Sequence, residues 1–109
     1  MKESKLGEFE ELVLLTVAAL YDEAYGLAIQ KSLSERLARQ VSLGALHAAL
    51  RRMEGKGFVQ SRLGEQTPQR GGKRKRFFRM TLYGYRALQQ VRTTREALWD
   101  DIPPLALEF

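Results

Sequence analysis

Two adjacent glycines set inside a run of cations restrict what the stretch from Gln69 to Met80 can become. It reads Gln-Arg-Gly-Gly-Lys-Arg-Lys-Arg-Phe-Phe-Arg-Met, and five of the seven residues from Arg70 to Arg76 are Lys or Arg. Gly71-Gly72 allow positive φ and a tight reversal, which predicts a two-stranded hairpin with its tip at Arg70 to Lys73. The returning strand then runs from Arg74 to Met80, its side chains alternating between two faces. Charges this dense cannot be buried, and they repel one another unless an anion lies alongside. A polyphosphate would supply that anion. A solvated, solubilising loop is the other reading open to any charge run.

The rest of the composition narrows the partner. A chain of 109 residues, 44% hydrophobic and 28% charged, makes one globular domain with a single core. It has no Cys, so it offers no disulfide, thiolate metal site or thiol nucleophile, and the lone His47 cannot form a His-based metal site by itself. No run approaches the roughly 18 apolar residues of a membrane span, and Met1-Lys2-Glu3-Ser4 opens no signal peptide. The cytoplasm is the expected location, with no membrane partner and no cofactor. The net charge is +5, but between Phe58 and Arg79 seven Lys/Arg face only Glu65, giving +6 there and −1 over the remainder. Excess charge confined to one segment is an electrostatic footprint.

Upstream, Glu8 to Leu20 begins with acids and continues almost wholly apolar, predicting a central helix touched on several sides. After Tyr25-Gly26, Leu27, Ile29, Leu33 and Leu37 alternate with charged residues in an amphipathic second helix. Gln40-Val41 is long enough only for a turn or a single pairing rung. Ser42 is a suitable N-cap for a third helix to about Lys56, with Leu43, Leu46, Leu50 and Met53 as its buried stripe and Gly57 as its stop. Gly44, Ala45, Ala48, Arg51 and Arg52 occupy its other face, which suits either close approach to a groove or plain solvation. Phe58 to Leu63 reads as a strand. After the basic hairpin, Thr81 caps a fourth helix over Leu82 to Asp100, and Pro103-Pro104 stops it.

Three helices, a strand, a basic loop, a strand and a helix make a mainly α fold with a small β-hairpin, the α+β class. The expected architecture is a winged helix-turn-helix over residues 1–80 followed by a C-terminal dimerisation helix and tail over 81–109. In such a fold the third helix enters the major groove of double-stranded DNA, and the hairpin "wing" tracks the neighbouring backbone.

Several stretches resemble the PadR-like transcriptional regulators. They are Leu6-Gly7-Glu8-Phe9-Glu10, Tyr25-Gly26, Val41 to Leu46, and Leu50-Arg51-Arg52-Met53-Glu54 with Gly57. The run from Gly71 to Thr81, with Gly84 three residues on, is similar to that family's Gly-rich wing, basic–aromatic strand and Thr cap. The likeness covers about Leu6 to Leu88. His47 and Phe77-Phe78 stand where the family usually has tyrosines, and Ala48-Ala49 are blander than usual. The resemblance implies a cytoplasmic repressor that binds operator DNA as a homodimer, of the compact kind with one helix after the wing.

On that basis Ser42, Gly44, Ala45, His47, Ala48 and Arg51 are expected to line the groove-facing part of the third helix. Arg52 and Lys56 are expected at phosphates. Arg70, Lys73, Arg74, Lys75 and Arg76 form the wing contacts, and Phe77 and Phe78 pack to opposite sides of their strand. Tyr85, Leu88, Val91, Leu98, Trp99 and Ile102 give the fourth helix an apolar stripe, which either pairs with a second copy or folds back on its own domain. Gly84 suggests that another helix approaches closely. Trp99 either fills the dimer interface or, as some compact relatives imply, floors a site for a small planar aromatic ligand. Leu105 to Phe109 is too apolar for a free tail and suits packing on a partner subunit.

Two other classes compete. An enzyme is disfavoured, because no Ser-His-acid or Cys-His set, metal-ligand cluster or phosphate-binding loop can be assembled. A protein–protein interaction module on the same scaffold is the second, and it has no need of the +6 segment. RNA fits less well, since the narrow major groove of A-form RNA would not admit the third helix.

Overall fold

The computed structural model describes residues 5–65 and 74–108. The predicted hairpin tip, with Arg70 and Lys73, lies outside the described residues.

Helix α1 spans Glu8–Leu20, α2 Gly26–Leu37, α3 Leu43–Lys56 and α4 Leu82–Asp100. Strands β1 (Val59–Leu63) and β2 (Arg76–Met80) pair antiparallel with Val59 opposite Met80 and Leu63 opposite Arg76. The ladder gains one more rung where the Gly64 N–H donates to the Lys75 carbonyl. The fold is thus the mainly helical, winged helix-turn-helix arrangement expected.

The core gathers where α1, α2, α3 and the hairpin meet, with Leu14, Ile29, Leu50, Met53 and Phe58 almost fully buried at its centre. Local chemistry sets the ends of the elements. Ser42 Oγ accepts the Ala45 N–H at 3.0 Å to start α3, and Gly57, at φ 87°, ends it in the left-handed region that favours glycine. Thr81 does two things: its Oγ accepts the Gly84 N–H at 3.0 Å to cap α4 and donates to the Gly57 carbonyl at 2.6 Å. One hydroxyl therefore ties the start of α4 to the end of α3.

Several expectations are revised. The pairing rung is not at Val41, which is buried with its N–H on Ser34 Oγ and its carbonyl on Gln30 Nε2. It is Tyr25 that bridges to Phe77 on the free edge of β2, where the Phe78 N–H also reaches the Ala24 carbonyl at 2.8 Å. Leu27 is exposed and does not belong to the α2 stripe. Helix α1 is touched on several sides as expected, by α2, α3, β2 and α4, and leaves Leu15, near its middle, 48% exposed. Gly84 is required by a close approach, but of the chain turning out of α3 and not of a helix: a Cβ there would run into the Phe58 carbonyl oxygen. Phe78 enters the core, and Phe77 packs edge-on against Tyr25 at the base of the wing, ring centroids 5.6 Å apart.

Candidate nucleic-acid interface

The apolar positions Leu46, Ala49, Leu50 and Met53 turn one side of α3 inward, so the 3.6-residue period turns Gly44, His47, Ala48 and Arg51 outward. Ser42, Gly44, Ala45, His47 and Arg51 are exposed and Ala48 is half-buried. Three of these six have side chains no larger than a methyl group, so the α3 backbone itself is accessible to a close-fitting surface.

The hairpin stands beside this face. A cleft of about 370 Å³ is lined by His47, Arg51 and Glu54 of α3, Gly26 of α2, and Arg76 and Phe78 of β2. His47 rests against the start of α2, where a Cβ on Gly26 would stand 3.1 Å from the imidazole Cε1. A short relay joins helix to wing: Arg76 donates to Ser61 Oγ at 3.0 Å, and Ser61 donates to Glu54 Oε2 at 2.7 Å. Sequence reasoning missed Glu54 and Ser61. Strand alternation puts Ser61 and Arg76 on one face only once the register is known, with Leu63 opposite Arg76.

The cations of the wing divide between two faces. Arg76 faces α3, while Arg74 donates its Nε–H to the Gly64 carbonyl at 2.7 Å, at the end of the ladder farthest from Val59 and Met80. Lys75 turns to the outer face, its ammonium 3.7 Å from the centre of the Tyr25 ring. Arg62 lies over Phe77 and Arg79 over Tyr21 on the same side. The predicted phosphate contact from Lys75 would require it to leave that ring.

Arg52 and Lys56 are also engaged elsewhere. Glu10, its side chain only 5% exposed, lies between α1 and α3. Lys56 Nζ is 3.0 and 3.2 Å from its two oxygens and 2.9 Å from the Lys5 carbonyl, and Arg52 Nε is 3.4 Å from Oε2. Burial disfavours the ionised carboxyl, but the Gly7 N–H, the Lys56 ammonium and the Arg52 guanidinium outweigh it and hold Glu10 below its usual range. The structure therefore directs Lys56 to a structural ion pair with Glu10, leaving a third of its side chain exposed. Arg52, more than half exposed, keeps part of its guanidinium outside.

On α4 the predicted stripe splits in two. Leu88 is 9% exposed and packs on the core of its own domain. Val91 is half-buried, and no described residue beyond it is buried. Tyr85, Leu98, Trp99 and Ile102 are 50–74% exposed.

A bare helix face and a cationic antiparallel hairpin bordering one cleft define a winged helix-turn-helix DNA-binding unit. The sequence profile of the transcriptional regulator PadR-like family matches residues 14–90, and the chain belongs to that family. It is accordingly a DNA-binding transcriptional regulator. No curated protein sequence matches it. A PadR family transcriptional regulator from Eggerthella lenta is 30% identical, with a TM-score of 0.65 over 85% of this chain and 80% of that one. A PadR-like transcriptional regulator from Bacillus cereus shares the fold at a TM-score of 0.73 and 17% identity, over 93% of both chains. A putative transcriptional regulator from Thermoplasma acidophilum does so at 0.64 and 21%, also over 93% of each. Among the described residues no helix is long and apolar enough to cross a membrane.

Proposed function

We propose that the chain is a cytoplasmic, homodimeric repressor that binds operator DNA with α3 in the major groove and the β1–β2 wing on the adjacent backbone or minor groove. The shared cleft carries this reading: His47 and Arg51 of α3 and Arg76 of β2 border one space, so helix and wing address a duplex from the same side. Gly44, Ala45 and Ala48 let the helix lie deep, Ser42 reaches the backbone near its start, and Arg51 can read guanine O6 and N7. Arg74 and Arg76, with Arg70 and Lys73 beyond the described residues, neutralise phosphates, and an arginine at the tip suits a narrow minor groove. A second copy joined through the exposed half of α4 would set two α3 helices about 34 Å apart, one turn of DNA. Occupying an operator this way excludes other proteins from it.

The test is an electrophoretic shift on DNA upstream of the protein's own gene, titrated in salt. Four phosphate contacts per subunit, from Arg70, Lys73, Arg74 and Arg76, give a slope of about −4 in log K against log salt. Replacing Arg70, Lys73 and Arg74 by Ala should weaken binding to every duplex and remove about 3 from that slope. A triple variant with unchanged affinity and slope would remove the wing from the mechanism.

A second reading, control by a planar aromatic ligand, is motivated by Trp99, which is 74% exposed and points away from its own core. Two such rings brought together at a dimer axis would floor a site. Quenching of this sole Trp by aromatic compounds supports the reading; its absence across a broad panel removes it.

A further inference from the structure

Between α1 and α4 runs an apolar groove of about 390 Å³, walled by Leu15 and Ala18 of α1, Met80 at the end of β2, and Tyr85 and Leu88 of α4. Arg92 and Arg95 stand on its rim. Each gives one N–H to an acid, Arg92 to Glu96 at 2.8 Å and Arg95 to Glu11 at 3.1 Å, and a guanidinium has further donors for another carboxylate. The same chain also carries an apolar segment that no described residue covers. Beyond Asp101, Pro103 holds the backbone extended and Pro104–Leu107 forms a 3-10 turn. Leu105 and Leu107 there are 73% and 86% exposed. Acids flank this segment on both sides, Asp100 and Asp101 before it and Glu108 after it.

The tail does not turn back on its own groove. Helix α4 has 19 residues, about 28 Å at 1.5 Å each; the groove's apolar wall on it, Tyr85 and Leu88, lies in its first half, while the tail continues past its far end. A two-fold changes this. If two α4 helices cross antiparallel at Leu98-Trp99, the large apolar residues most exposed on that helix, position 98 + n of one faces position 98 − n of the other. Past Asp101 the chain is no longer α-helical and advances about 2–3.3 Å per residue, so Leu105 and Leu107 of one subunit arrive about 16–20 Å along, beside Tyr85 to Leu88 of its mate, which is where the groove lies. Asp101 arrives opposite the mate's Arg95.

We propose that the two subunits exchange tails: Ile102–Leu107 of each chain seats in the α1–α4 groove of the other, completing a site that one subunit leaves open. The inference rests on the homodimer reading above and adds the occupant. It also accounts for a leucine at position 15, which a solitary protomer leaves half in water.

The chain has no Cys, so engineered thiols report without background. The double variant Ala18→Cys/Leu105→Cys, oxidised at micromolar concentration, should run as a covalent dimer on a non-reducing gel. The control Lys31→Cys/Leu105→Cys, whose first thiol lies on the exposed side of α2, should stay at monomer mass. Leu105→Ser/Leu107→Ser changes only exposed residues, so it cannot unfold the protomer, and it should raise the dimer dissociation constant at least tenfold by analytical ultracentrifugation. A wild-type chain that is dimeric, with no cross-link above the control or with unchanged affinity in the serine variant, overturns tail exchange and leaves the dimer standing. A wild-type chain that is monomeric overturns both.

Discussion

Replacing Glu10 by Gln tests how α1 and α3 are held together. The carboxylate is nearly buried and receives the Gly7 N–H at 2.7 Å, Lys56 at 3.0 Å and Arg52 at 3.4 Å. Gln keeps an oxygen for Gly7 but removes the charge that the two cations face. A hydrogen bond to a charged group contributes about 1.5–3 kcal/mol, and orphaning a fully buried partner costs about 3–5 kcal/mol. Lys56 is one-third exposed and Arg52 more than half, so both can turn to water and the lower range applies. The expected loss is about 1–2 kcal/mol, a fall in Tm of roughly 5–10 °C for a domain of this size at fixed protein concentration. The pH dependence has a definite sign. Glu10 is held below its ordinary value of 4.5 in the folded chain, so its contribution is complete above that value and disappears as pH falls through the folded one. Thermal unfolding followed by circular dichroism from pH 7 to pH 3 should show the wild-type advantage intact down to about pH 5 and closing below 4. A gap absent at pH 7, or one of constant size down to pH 3, would refute the assignment.

Other substitutions separate folding from function. Lys56→Gln should lower stability by about 1 kcal/mol yet leave the salt slope of DNA binding unchanged, since that ammonium serves Glu10; a shallower slope would return it to the phosphates. A Cβ at Gly44 or Gly55 meets nothing within 4 Å, so Gly44→Ala and Gly55→Ala should each stabilise α3 by up to about 1 kcal/mol. Of the two, only Gly44→Ala should also weaken DNA binding in a mobility shift, because Gly44 lies on the outward stripe. Equal effects on DNA would disconnect that stripe from recognition. Gly84→Ala, although alanine favours helix, should cost about 2 kcal/mol or more in urea unfolding, because the new methyl meets the Phe58 carbonyl oxygen; a neutral outcome would mean the turn after α3 can yield.

Where the deciding chemistry lies within a few residues, the chain could be read directly. Ser42 and Gly57 delimit α3, Thr81 opens α4, and the acids of Glu8–Glu11 start α1, because caps depend on near neighbours in the sequence. The small-and-basic stripe of α3 followed from periodicity alone. What escaped are pairings over long separations. Lys56 and Arg52 look like free cations until folding brings Glu10 to them across more than forty residues, and Lys75 looks like one until Tyr25 lies beneath it. Leu88 and Leu98 read alike on a helical wheel, yet only the first lies over the domain's own core, because α4 runs on past the end of the body it packs against. The Ser61 relay depends on a strand register that the intervening loop conceals.

That relay has a mechanical consequence. With a single hydroxyl bridging Glu54 to Arg76, α3 and the hairpin stand like the two jaws of a caliper, and swivelling one against the other breaks these hydrogen bonds. In the DNA-bound homodimer proposed above, a duplex that is bent, or whose half-sites are spaced a base pair apart from the ideal, would be fitted by opening the jaws only at the cost of those bonds. Accommodation would then fall to where one caliper is hinged to the next, making tolerance for operator spacing a property of the subunit junction.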